Sequence, residues 1–433
     1  MAVDLSERAK VMLNKRDFLD HYTMMCLHDP YHKENNKMGY VNLGTSVSAL
    51  CEDLILKRLN QSDLFQFGLK AQHYYPMWGI PELREAIANC LTRHLAADRP
   101  VLPENVLVVN GGVAAMEVLA CCLLDPGDVL LTPSPCYTRI FVNFSERFNV
   151  HVEDVLLRDE SKMSSGEAPT FELNAEILET TIMEQKAAGR KVKAFFLVNP
   201  SNPLGEVYSP ELVLQLMEVC QRYGLHFISD EAYAMSVYEP QKIFHSILSL
   251  RPLPNQQKTH VIWSFSKDLT LAGMRIGAII TWNRELLNVV RNTSMYTAVP
   301  AIVQQAAARL LNDSVWLDII FLPTHRQRLQ DAAHRVRDAL TALKVKVRPA
   351  HAGFFLWADF RSFLPVVNHE EELVLFKKFM EHKVYLTPGS EMKCVDPGWF
   401  RVVFTAPSNV LDEGILRIAE TLKELTKEQN TQK

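Results

Sequence analysis

Between residues 104 and 281, short apolar runs alternate with stretches of helical spacing, and this alternation limits the possible folds more than any other feature of the chain. The runs are Val106-Leu107-Val108-Val109, Val129-Leu130-Leu131, Val150-His151-Val152, Ala194-Phe195-Phe196-Leu197-Val198, His226-Phe227-Ile228, Val261-Ile262-Trp263 and Ile276-Gly277-Ala278-Ile279-Ile280. They show little polar/apolar alternation, as expected of strands buried on both faces. Ala114 to Cys122 and Glu211 to Tyr223 have helical spacing between them. This order predicts an α/β fold, a mostly parallel sheet covered by helices.

After residue 310 the pattern changes. A long, charged, amphipathic stretch from Val315 to Leu343 precedes Phe354-Phe355-Leu356-Trp357, a helix near Glu370 to His382, Val384-Tyr385-Leu386, Phe400-Arg401-Val402-Val403-Phe404 and a last helix near Leu411 to Leu425. That succession predicts a smaller α+β domain joined to the sheet by a long helix. Residues 1 to about 40 are polar with a weak helical pattern, ending at Glu34-Asn35-Asn36-Lys37, and read as an arm. The expected division is 1–67 for the arm and the first part of the small domain, 68–310 for the large domain, and 311–433 for the rest of the small domain. Asp159 to Thr170 is polar enough for a surface loop.

Composition narrows the function classes. The 433 residues are 48% apolar and 22% charged with a formal net charge of -4, an ordinary balance that gives no sign of a nucleic-acid partner. The eight cysteines are scattered, without C-x-x-C or metal-ligand spacing, so no metal is expected and a reducing compartment fits. The N-terminus lacks the plan of a signal peptide and no segment is apolar enough to span a bilayer. The expectation is a cytoplasmic protein with no membrane partner.

Chemistry concentrates in a few motifs. Ser264-Phe265-Ser266-Lys267 is followed eight residues later by Arg275. A lysine set among hydroxyls and an arginine suits covalent capture of an aldehyde cofactor whose phosphate the same groups anchor. Asp230 follows an apolar strand, and open α/β sheets bind ligands at such strand ends. Gly111-Gly112-Val113 lies between a strand and a helix and offers backbone N–H groups to an anion. It is not the G-x-G-x-x-G of a dinucleotide site, which argues against a dehydrogenase. Arg401 is a cation within an apolar strand and needs a carboxylate partner. Singly, each has an ordinary reading: a solvated lysine, an N-cap aspartate, a structural salt bridge.

With Asn199-Pro200-Ser201-Asn202-Pro203-Leu204-Gly205 and Asp230-Glu231-Ala232-Tyr233, the set resembles the fold type I pyridoxal-phosphate (PLP) enzymes, the class I/II aminotransferase superfamily. The resemblance runs from about residue 40 to 425, and within the superfamily it is nearest to the animal 1-aminocyclopropane-1-carboxylate (ACC) synthase-like proteins. It implies PLP as cofactor, with Lys267, Asp230 and Tyr233 as catalytic residues. Gly111, Gly112, Val113, Tyr137, Asn202, Ser264, Ser266 and Arg275 would contact the cofactor together with them. Val113 stands where members often carry a hydroxyl, leaving that position only its backbone contact. Gly44, Asn202 and Arg401 would meet the substrate, Arg401 gripping its α-carboxylate. Tyr74 resembles the tyrosine that reaches the phosphate of a neighbouring subunit, with Tyr75 close enough to compete for the role; either implies a homodimer with shared active sites.

The plant enzymes' Gly-Leu-Ala-Glu-Asn-Gln is here Gly44-Thr45-Ser46-Val47-Ser48-Ala49, with Val47 in place of the glutamate, and their Tyr-His-Gly is Met77-Trp78-Gly79. An intact cofactor set beside altered substrate positions favours a transaminase converting an amino acid to a keto acid. ACC synthase, or a related β,γ-elimination on S-adenosylmethionine-like substrates, is the first alternative. A PLP-binding scaffold without catalysis is the second.

Overall fold

The computed structural model describes residues 4–13, 17–96, 99–157 and 171–431. The expected loop at Asp159 to Thr170 lies outside them. Strands β2 (Val106–Val109), β3 (Val129–Ser134), β4 (His151–Leu156), β5 (Val192–Val198), β6 (His226–Asp230), β7 (Thr259–Ser264) and β8 (Gly277–Thr281) form a seven-stranded sheet in the order β2-β8-β7-β6-β5-β3-β4. All pair in parallel except β8, which is antiparallel to both its neighbours.

The unbroken apolar runs have a physical cause in the two cores that flank this sheet. Val106, Val108, Leu131, Phe195, Phe227, Val261 and Ile280 enter one core, while Leu107, Val109, Leu130, Phe196, Ile228, Ile262 and Ile279 enter the other. Successive side chains point to opposite faces, and both faces are apolar. Only the edge strand β4 keeps exposed positions.

A second, antiparallel sheet contains β9 (Lys346–Val347), β10 (Phe355–Asp359), β12 (Thr387–Pro388) and β13 (Trp399–Val403), in the order β12-β13-β10-β9. It packs around Phe354, Phe376, Phe379, Phe400 and Phe404. Strand β1 (Val41–Asn42) pairs in parallel with β11 (Val384–Tyr385), so the chain's beginning is bound to its last third. Cys51, Ile55 and Leu64, by contrast, pack into the core of the large sheet.

The long amphipathic stretch after residue 310 starts as a π-helical turn, Val315–Phe321, that runs into the Leu322–Ala342 helix. Pro323 has no N–H to give, and Leu322 N–H reaches back five residues to Leu317 O at the join. In the arm, the Phe18–His28 helix is capped by Asp17 and lays Phe18 against Phe376 (5.2 Å between ring centres) and Tyr22 against Tyr385 (5.6 Å). No helix among the described residues is long and apolar enough to cross a membrane.

Strands β2 and β8 meet tightly at one end. A Cβ added to Gly277 would sit 2.6 Å from the carbonyl carbon of Gly111, and backbone cannot swing aside as a side chain does. Gly277→Ala should therefore destabilise the protein by about 1–3 kcal/mol and loosen the Gly111-Gly112 turn. Urea unfolding checks this; an unchanged midpoint would show that the two strand ends part freely.

Candidate active site

The parallel register of β5, β6 and β7 places their C-terminal ends side by side. Strand β6 ends on Asp230 and β7 on Ser264, and the short Phe265–Asp268 helix that follows carries Ser266 and Lys267. A cavity of about 290 Å³ opens there, lined by Gly44, Gly112, Val113, Tyr137, Asn202, Asp230, Tyr233, Ser264, Ser266, Lys267, Arg275 and Arg401. Gly111 lies just behind, where a Cβ would come within 2.5 Å of Arg275 Nη2. Its φ of 102° also favours glycine.

Tyr74 stands apart. It is 96% exposed and does not line the cavity. Tyr75 turns inward, and its hydroxyl donates to Val299 O at 2.6 Å.

Lys267 Nζ donates to the carbonyl of Ser46. Desolvation lowers its pKa to about 8, with Arg401 and Arg275 pushing the same way and Asp230 opposing. Asp230 is 6% exposed and accepts Ala232 N–H at 3.1 Å; burial raises its pKa to about 6, so it is mostly ionised at neutral pH. Tyr233, also buried, shares a 2.8 Å hydrogen bond with Ser46 Oγ, and burial drives its pKa upward. Tyr137 is pushed up to about 12, chiefly by desolvation.

Arg401 is 3% exposed. It donates to Asn202 Oδ1 at 3.0 Å and to Gly44 O at 2.7 Å, and its guanidinium lies 5.5 Å from the Phe355 ring centre. Its Nε has no partner, and no carboxylate among the described residues pairs with it. A buried cation held only by dipoles is set for an anion from outside the chain.

Arg275 lines the same cavity but is exposed where Arg401 is buried. Arg275 binds Ala272 O at 3.1 Å and Asn110 O at 3.3 Å, with no carboxylate partner among the described residues. Around it stand the hydroxyls of Ser264 and Ser266 and the N-terminus of the Gly112–Leu123 helix. The space beside Gly112 is open, since a Cβ there would meet nothing nearer than Ser264 Oγ at 3.9 Å. Hydroxyls, a helix end and a guanidinium bound only to carbonyls make a donor set that fits a phosphate dianion.

The aminotransferase class I and II family model matches residues 44–418. The chain belongs to this family. It is 38% identical over 396 residues to the Bos taurus 1-aminocyclopropane-1-carboxylate synthase-like protein 1, covering 91% of this chain and 78% of that protein. A human relative named "Probable inactive 1-aminocyclopropane-1-carboxylate synthase-like protein 2" is 36% identical over 397 residues, covering 92% and 69% respectively. Among solved structures, an archaeal alanine:glyoxylate aminotransferase superposes with a TM-score of 0.77 at 26% identity, covering 97% of this chain and 98% of that one. Thermus thermophilus aspartate aminotransferase with maleate shares the fold at a TM-score of 0.75 and 22% identity, over 96% and 99%.

Several residues in and behind the cavity escaped the sequence reading. Ser46 lines it and bonds both Lys267 and Tyr233, Tyr385 lines it with a buried hydroxyl, and Thr387, behind the lining, donates from Oγ1 to Gly44 O at 3.1 Å. A side chain at Gly44 would run into the Tyr385 ring, which is why glycine stands there. Arg139 also reaches the cavity. The aminotransferase-like segments do not include these residues, which reach the site by strand pairing and by docking of the arm.

The lowered pKa of Lys267 has a direct consequence, because only the neutral amine attacks an aldehyde. The rate at which cofactor-free protein captures PLP, followed by absorbance, should rise about tenfold per pH unit and level off near pH 8. Levelling only near the ordinary lysine value would contradict the desolvated setting.

Proposed function

We propose that this enzyme is a PLP-dependent transaminase acting on an α-amino acid, yielding the keto acid. The observation that carries the proposal is one cavity holding both a desolvated lysine amine and a buried arginine without a counter-charge. The first suits proton transfer at Cα, and the second suits an α-carboxylate.

When bound, PLP supplies the electron sink. The chain's own groups do the rest. Arg275, Ser264, Ser266 and the N–H groups of Gly112 and Val113 would hold the phosphate, while Tyr137 offers a ring face. Asp230, ionised at neutral pH, would keep a proton on the pyridine nitrogen. Tyr233, fixed by Ser46, and Asn202 would donate to the phenolic oxygen. Arg401 would orient the substrate by its carboxylate, beside the backbone of Gly44. Lys267 Nζ would then take the Cα proton and return it to the cofactor side. Arg401 and Arg275 help keep that amine neutral enough to act as a base.

Val47 favours this reading over ACC synthase chemistry, since it lines the cavity and brings an isopropyl group where the plant enzymes bring a carboxylate. The cavity's complete set of charged groups supports catalysis over a scaffold role. The proposal includes a homodimer in which Tyr74, exposed here, reaches the phosphate site of a second copy, with residues 68–310 as the cofactor-binding part. It also includes a cytoplasmic setting, which eight free cysteines suit.

Adding L-amino acids to the PLP-loaded protein should replace the aldehyde form's visible absorption with that of the amine form, and Lys267→Ala should abolish this conversion while keeping bound cofactor. An unchanged spectrum with every amino acid, or conversion by the alanine variant, would sink the assignment. Incubation with S-adenosylmethionine should give no ACC.

Removing the carboxylate anchor separates substrate from cofactor. Arg401→Gln should raise KM for the amino acid by roughly 100-fold, since each charge-assisted bond contributes about 1.5–3 kcal/mol, with PLP binding little changed. Equal losses in both would mean that Arg401 is structural.

A further inference from the structure

On the amino-acid reading above, three of the four groups on the substrate's Cα are assigned. Arg401 takes the carboxylate, Lys267 faces the proton, and the amine joins the cofactor. The side chain is left to face the remaining wall, which the N-terminal arm supplies through Leu19, Asp20 and Thr23 together with Arg139 from the Arg139–Phe148 helix. Tyr137, Arg139 and Arg401 line the same cavity, and the charges of both cations reach the Tyr137 hydroxyl.

Arg139 is the cation of this wall, and it is already committed. Its Nη1 lies 3.1 Å from Asp17 Oδ2, and its Nη2 donates to Asp20 Oδ1. Two carboxylates on one guanidinium leave a net charge of minus one. Glu391 lies close enough to Asp17 for the two to repel, and Lys393 offsets Glu391. The arm is held at this wall by Thr23 Oγ1, 2.8 Å from Thr45 Oγ1, directly beside the Ser46 that binds Lys267.

We propose that Arg139, Asp17 and Asp20 form the side-chain selector of this enzyme, a wall of net negative charge that favours a side chain ending in a cation over one ending in a carboxylate. A side-chain carboxylate finds Arg139 occupied and meets the excess charge. A side-chain ammonium pairs with Asp20, whose carboxylate is the more exposed of the two.

The charge logic gives a test that a merely structural role would not pass. α-Methyl-lysine and α-methyl-glutamate lack the Cα proton and bind without turnover, so their dissociation constants can be read from the cofactor's absorption. Asp20→Asn brings the wall to neutrality and should shift the preference toward α-methyl-glutamate by about fivefold, as expected for one unit charge at a wet site. Arg139→Gln leaves two carboxylates unpaired and should shift it by about as much toward α-methyl-lysine, both shifts shrinking with added salt. Parallel losses for both ligands in both variants, or an unmoved preference while amino acids still perturb the cofactor, would overturn the selector. Absorption that no amino acid perturbs, in wild type or variant, would instead overturn the amino-acid reading and the selector with it.

Discussion

Three cationic groups, Lys267, Arg275 and Arg401, surround the inner end of one cavity, with Asp230 as their charged opponent. Arg401 is buried and Lys267 half-buried, while Arg275 keeps contact with water; holding the first two near each other away from solvent is costly, and the inner part of the site is arranged around that cost. The structure answers it with dipoles. Ser46 O takes Lys267, Gly44 O and Asn202 Oδ1 take Arg401, and Ala272 O and Asn110 O take Arg275. Dipoles satisfy hydrogen bonds without cancelling charge. Burial first, and the field that remains second, lower the lysine's pKa, and both arginines are left without a carboxylate partner among the described residues.

Holding those dipoles in place is what the fold does for the chemistry. Gly44 and Ser46 come from near the chain's start, yet they must meet Lys267 and Arg401, hundreds of residues away. Pairing of β1 with β11 brings them there, with Leu43 N–H on Tyr385 O at 2.9 Å and Val403 N–H on Leu43 O at 2.8 Å. Arg401 sits in mid-strand opposite Trp357 and Thr387, so its side chain is aimed by sheet register. A one-residue slip would turn it to the other face.

Much of this was legible in the chain, and the gaps follow a rule. The large sheet announced itself because its strands are apolar on both faces; Asp230 and Arg401 stood out as charges beside or within apolar strands, and Lys267 stood out for its spacing to Ser264, Ser266 and Arg275. Ser46 did not stand out, since its principal contact is a carbonyl that every residue has. Arg139 reads as one of many surface arginines, and only the docking of the arm sets it against Asp17 and Asp20. Pairing of the two-residue strand β1 was equally hidden, because so short an element has no periodicity. The π-helical turn before Pro323 shifts hydrogen-bond register without altering the amphipathic pattern, so the stretch read simply as helix.

The two sides of the cavity thus have different physical supports. Asp230, Ser264, Lys267 and Gly112 belong to one sheet and its connections, packed between two apolar cores, where most changes would disturb several strands. Val47, more than half exposed, and the arm's Asp20 are tied to that frame by a few hydrogen bonds and ion pairs. Exposed ion pairs contribute little to stability, so side chains there can change at small cost to the fold. A relative can therefore share the cofactor motifs while differing in substrate or in competence. On the transaminase reading, the residues of the large sheet would set the class of chemistry, and the loop at Gly44 to Val47 together with the arm would set what is admitted to it.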